Sequence, residues 1–84
     1  MTSYSYTSDD TGRSFTFASE DAYERANEWY NNTSKADVLA FCSAHGVDLT
    51  EATDDPYYRT GVKLVDDWAD VAMELYAKVH EPAH

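Results

Sequence analysis

Aromatic and small polar residues alternate twice near the start of the chain. Tyr4 and Tyr6 sit among Ser3, Ser5 and Thr7, and Phe15 and Phe17 sit beside Ser14 and Thr16. Period-two alternation predicts half-buried strands. Between the two runs lies Ser8-Asp9-Asp10-Thr11-Gly12-Arg13, rich in turn formers. A four-residue loop at Asp9 to Gly12 would pair Ser8 with Arg13, Tyr6 with Phe15 and Tyr4 with Phe17. All four aromatics then share one face, as burial requires. A lone hairpin is marginal in water, so this face has to lie on helices.

The period then changes to that of a helix. From Ser19 to about Tyr30, Ala22, Tyr23, Ala26, Trp29 and Tyr30 form an apolar stripe. Ser19 is the expected N-cap, with Glu20 and Asp21 at the positive end of the dipole. A second helix is expected from Ser34 to Ala44, with Val38, Leu39, Phe41 and Cys42 facing inward. Ser34 and Asp37 form a variant capping box, and Gly46 suits the left-handed stop. A third helix is expected from Asp55, with Pro56 in its first turn, to about His80, ended by Pro82. It carries two interleaved apolar rows. One is Leu64, Trp68, Val71 and Leu75; the other is Val62, Val65, Ala69, Ala72, Tyr76 and Val79. A start after Gly61 is the alternative, since a helix-interior Gly costs up to about 1 kcal/mol. The predicted order is ββααα, an α+β class with an N-terminal antiparallel hairpin on three helices in a single domain.

Composition narrows the function classes. Sixteen Asp and Glu stand against six Lys and Arg, a net charge of −10. Such a chain is repelled by nucleic acid and by anionic membrane surfaces, so direct nucleic-acid or membrane binding is not expected. No apolar run is long enough to span a bilayer. The opening Met1-Thr2-Ser3-Tyr4 is neither basic nor apolar, which leads us to expect a cytoplasmic protein. Two Trp, seven Tyr and three Phe are too many for a disordered acidic tail.

Catalytic and metal chemistry find little support. Cys42 and His45 share a helical face, but Cys42 falls in an apolar row and reads as a packing residue. Three scattered glycines make no phosphate loop. His80 and His84 are separated by Pro82, which breaks the geometry a metal pair would need. Eighty-four residues leave little room for a cleft. No enzyme, cofactor or metal site is expected.

The acids themselves are patterned. Glu20, Glu24 and Glu28 repeat every four residues, giving a single-sign row with about 6 Å between neighbours. Asp21 can pair with Arg25 beside it. On the last helix Asp66, Asp67, Asp70 and Glu74 are further like-charge neighbours, partly offset by Lys63 opposite Asp67 and by Lys78 opposite Glu74. Each unrelieved pair costs a few tenths of a kcal/mol. Rows of carboxylates at this spacing approximate the phosphates of a nucleic-acid strand. In size, charge and composition the chain resembles the small acidic inhibitors that mobile elements use against host nucleases, such as anti-CRISPR and antirestriction DNA mimics. That resemblance implies a binding protein whose partner is a basic protein surface, for example a nuclease or CRISPR effector. The docking residues would be Glu20, Glu24, Glu28, Asp66, Asp67, Asp70 and Glu74. The alternative is an interaction module, a homodimer joined through the two apolar rows of the last helix, with the acids merely solvated or salt-adapted.

Overall fold

The computed structural model describes residues 3–80. Strands β1 (Tyr4–Thr7) and β2 (Ser14–Phe17) pair antiparallel in the expected register, Tyr4 opposite Phe17 and Tyr6 opposite Phe15. The Ser8 amide donates to the Arg13 carbonyl at 2.8 Å and closes the four-residue loop. Gly12 supplies its left-handed residue, at φ 73°.

Helices α1 (Glu20–Asn31) and α2 (Lys35–Ala44) begin at the serines that the sequence offers. Ser19 Oγ accepts from the Ala22 amide at 3.1 Å, and Ser34 Oγ accepts from the Asp37 amide at 3.2 Å. Each bond satisfies one of the orphan donors of a first helical turn. The end of α2 is a Schellman motif. The Val47 amide returns to the Cys42 carbonyl at 2.8 Å and the Gly46 amide to Ser43 at 3.0 Å, with Gly46 at φ 77°.

The last segment departs from the sequence expectation. Helix α3 runs from Trp68 to His80, not from Asp55. Ahead of it lie two short strands, β3 (Thr50–Ala52) and β4 (Val62–Leu64), paired as a second two-stranded antiparallel sheet. Asp55 caps a turn rather than a helix: its Oδ1 accepts from the Tyr57 amide at 3.0 Å and its carbonyl from Tyr58 at 3.0 Å. Gly61, at φ 76°, turns the chain into β4. Pro82 lies outside the described residues. The result is an α+β fold, a hairpin followed by three helices with a second small sheet inserted before the last.

Helix α3 lies at the junction of two apolar clusters. On one side Phe15, Phe17, Ala22, Ala26, Met73 and Ala77 are buried, flanked by Tyr4, Tyr6 and Tyr23. On the other Val38, Cys42, Leu49 and Ala72 are buried beneath Trp68, Leu75 and Leu64. Val71 and Tyr30 join the two clusters. Both apolar rows of α3 are therefore used inside the chain. Ala72 is fully buried and Tyr76 stacks on Trp29 with ring centroids 4.5 Å apart. Of the two rows assigned to a dimer seam, Val79 and Val62 stay exposed, and Val62 belongs to β4 rather than to the helix.

Candidate docking surface: the acidic residues of two helices

The row on α1 follows from the packing of its opposite face. Ala22 and Ala26 are 1% and 0% exposed, which fixes the rotation of the helix against the hairpin and α3. Glu20, Glu24 and Glu28 then point outward, and all three are exposed. Among the described residues no ion pair reaches any of them. The helix is capped at its N-terminus by Ser19. At its C-terminus Asn32 folds back, its side-chain amide donating to the Glu28 carbonyl at 2.9 Å. The row is thus held on a fixed element.

Of the four acids expected on the last helix, Asp66 and Asp67 precede α3, and Asp67, Asp70 and Glu74 are arranged differently from the α1 row. Asp67 is buried at 6% exposure, with Oδ2 3.2 Å from the Thr11 hydroxyl that donates to it and 3.6 Å from Arg13 Nε. Asp70 Oδ1 accepts from the Tyr6 hydroxyl at 2.8 Å. Glu74 Oε2 accepts from the Thr16 amide at 2.8 Å, and its Oε1 lies 3.5 Å from Lys78 Nζ. The Thr16 amide is an outward group on the edge of β2, so Glu74 caps that edge. These three carboxylates fasten the N-terminal hairpin to α3. Asp66 is exposed and stands apart from them.

The structure therefore separates the seven acids that the sequence groups together. Glu20, Glu24, Glu28 and Asp66 are available at the surface, whereas Asp67, Asp70 and Glu74 are engaged internally. Glu74 meets Lys78 as the helical spacing predicts. Lys63 does not meet Asp67, because it sits in β4 rather than in a helix, and pairs with Glu51 across the sheet at 3.6 Å.

The hairpin partners Tyr6, Thr11, Arg13 and Thr16 escaped the sequence reading. Tyr6 alone carried a signal, since a half-buried hydroxyl on an aromatic face needs an acceptor. Burial, reinforced by the bond to Asp70, pushes the Tyr6 phenol well above its ordinary range. Tyr23 beside it is raised as well, first by burial and then by Tyr4 and Asp70.

No nucleophile or metal centre assembles among the described residues. Cys42 is fully buried and its thiol is pushed up by desolvation, while His45 packs on Phe41 at the surface with centroids 4.6 Å apart. No group of three or more His, Cys, Asp and Glu side chains converges among the described residues, and none of their helices is long and apolar enough to cross a membrane. Comparison with protein-family models, with curated proteins and with solved structures found no match.

Proposed function

We propose that this chain is an acidic binding protein, not a catalyst, and that it occupies the basic, nucleic-acid-binding surface of a partner protein through the outer face of α1. The observation that carries the reading is the exposed Glu20–Glu24–Glu28 row, unpaired among the described residues and held on a capped helix. Unrelieved like charge destabilises a helix by a few tenths of a kcal/mol per pair. In a small domain that cost is retained without any visible structural return. From Glu20 to Glu28 the row advances about 12 Å along the helix axis, the reach of a few phosphates. Its contribution is one of steering and register more than of raw affinity. Partner classes that fit are nucleases and CRISPR effectors, in the manner of an anti-CRISPR or antirestriction DNA mimic.

The test is displacement of DNA from purified nucleases and CRISPR effectors by the intact chain at low and moderate salt. The reading expects displacement that weakens with salt and is lost in the Glu24→Lys/Glu28→Lys double variant. The Asp54→Lys/Asp55→Lys double variant changes net charge equally but leaves α1 alone, and it is expected to retain displacement. Equal behaviour of the two variants, or no displacement by the parent chain, contradicts the reading.

A further inference from the structure

The outer edge of β4 carries main-chain groups that β3 cannot use. The Val65 amide donates to the Leu49 carbonyl at 2.8 Å, and the Thr53 amide to the Gly61 carbonyl at 3.0 Å. These bonds set the phase of the ladder. Residues 61, 63 and 65 face β3, so the N–H and C=O of Val62 and Leu64 point the opposite way. Of the two outward amides of β3, at Thr50 and Ala52, the first is blunted. Asp48 Oδ1 accepts both the Thr50 amide at 2.9 Å and the Thr50 hydroxyl at 2.6 Å, and these bonds hold the Asp48 carboxyl below its usual range. Thus one of the two outward amides of β3 is taken by a carboxylate, and no such cap meets Val62 or Leu64 among the described residues. Such bare edges are templates for pairing with another chain.

A cleft of about 490 Å³ is lined by residues 62–66 together with Lys35, Tyr58, Trp68 and, from β3, Thr50. Its chemistry differs from that of the rest of the surface. Two of the six cations of a chain carrying −10 converge here. Lys35 holds its ammonium 5.8 Å above the Trp68 ring and makes no ion pair among the described residues. Lys63 is shared with Glu51, and Asp66 is the one acid in the lining. Val62 and Tyr58 are 44% and 37% exposed and offer apolar contact along the strand.

We infer that β4 accepts an extended segment of a partner protein as a third strand of this sheet, and that the segment carries a carboxylate that meets Lys35. Main-chain bonds to Val62 and Leu64 would supply the register, and the lysines would select the side chain. A second copy of this chain fits poorly. Symmetric pairing of β4 about its centre sets Lys63 opposite Lys63, a like-charge pair that opposes association. This site is separate from the α1 row and stands or falls independently of it.

The experiment is a titration of the full ¹⁵N-labelled chain with acetylated, amidated heptapeptides, read at each backbone amide. The probes are Thr-Val-Thr-Glu-Thr-Val-Thr, the same peptide with Lys for Glu, and the Glu peptide N-methylated at alternate residues. We expect shifts centred on the Val62 and Leu64 amides, with roughly tenfold weaker binding of the Lys and N-methylated peptides. Lys35→Gln is expected to keep binding and shrink the Glu-over-Lys preference to less than about threefold. Four results overturn the proposal: no shift up to about 1 mM Glu peptide, shifts centred elsewhere, equal binding of all three probes, or an unchanged preference in Lys35→Gln. Concentration-dependent shifts at Val62 and Leu64 without peptide also overturn it, since they assign the edge to a second copy.

Discussion

The hydroxyl of Tyr6 donates to the carboxylate of Asp70 at 2.8 Å, joining the first strand to the last helix across 64 positions of sequence. A hydrogen bond to a charged acceptor contributes about 1.5–3 kcal/mol when desolvated, and less when half-buried. Tyr6→Phe is therefore expected to lower the urea-unfolding free energy by about 1–2 kcal/mol while leaving the ring stack intact. A loss below about 0.3 kcal/mol would show that the bond is not formed in solution.

The same bond gives a sign to the alkaline limit of stability. Tyr6 and Cys42 both have folded pKa values above their ordinary ones of 10.0 and 9.0, each chiefly through burial. The folded state then holds protons that the unfolded chain has released, so stability falls as pH rises above about 9 and more steeply above about 10. Unfolding free energies measured at pH 7, 9 and 10.5 are expected to decline in that order. Tyr6→Phe should flatten the upper part of the decline, and a flat profile for the parent chain would refute the linkage.

Asp67 and Arg13 contribute unequally although they form one pair. The Asp67 side chain is 5% exposed and also accepts from Thr11, whereas Arg13 is 56% exposed. Removing Asp67 deletes the Thr11 hydrogen bond and the packing of a buried side chain. Removing the exposed Arg13 takes away one solvent-screened contact at 3.6 Å and leaves the Thr11 bond in place. Asp67→Ala is expected to lower stability by about 1–3 kcal/mol and Arg13→Ala by less than about 1 kcal/mol. Equal losses in urea midpoints would mean that the ion pair, rather than the buried carboxylate, holds the hairpin turn.

Gly61 separates two accounts of the segment before α3. Inside a helix, Gly61→Ala would stabilise by up to about 1 kcal/mol. At φ 76° it should instead destabilise by about 1–2 kcal/mol, because a Cβ disfavours the left-handed region even where no neighbour crowds it. The sign of the change in thermal midpoint decides between the two.

Where sequence and structure agree, the signal was local. The hairpin register follows from turn length and alternation acting together, and the caps at Ser19, Ser34 and Gly46 are short-range hydrogen-bond chemistry. The second sheet left almost no trace, because three-residue strands are too short to establish a period. Val62 and Leu64 also continue the apolar spacing of Trp68, Val71 and Leu75, so the helical pattern absorbed them. Thr60-Gly61 was the punctuation mark that contradicted it. For the acids, one-dimensional spacing showed rows but not their direction. The α1 row is outward because Ala22 and Ala26 fix its opposite face. Asp67, Asp70 and Glu74 turn inward because Tyr6, Thr11 and Thr16 arrive from the far end of the chain, a contact that no local pattern encodes.

The division of the acids into an outward rank on α1 and an inward clasp on α3 is the central claim, and paired charge reversals measure it without any partner. Urea-unfolding midpoints of Glu24→Lys/Glu28→Lys and of Asp70→Lys/Glu74→Lys are compared with the parent chain. The account predicts that the α1 reversal is neutral or stabilising by a few tenths of a kcal/mol, because it relieves repulsion. The α3 reversal should lose about 2–4 kcal/mol, because it places cations against the hairpin's donors. Equal effects of the two reversals, or an α1 reversal that unfolds the chain, would contradict it.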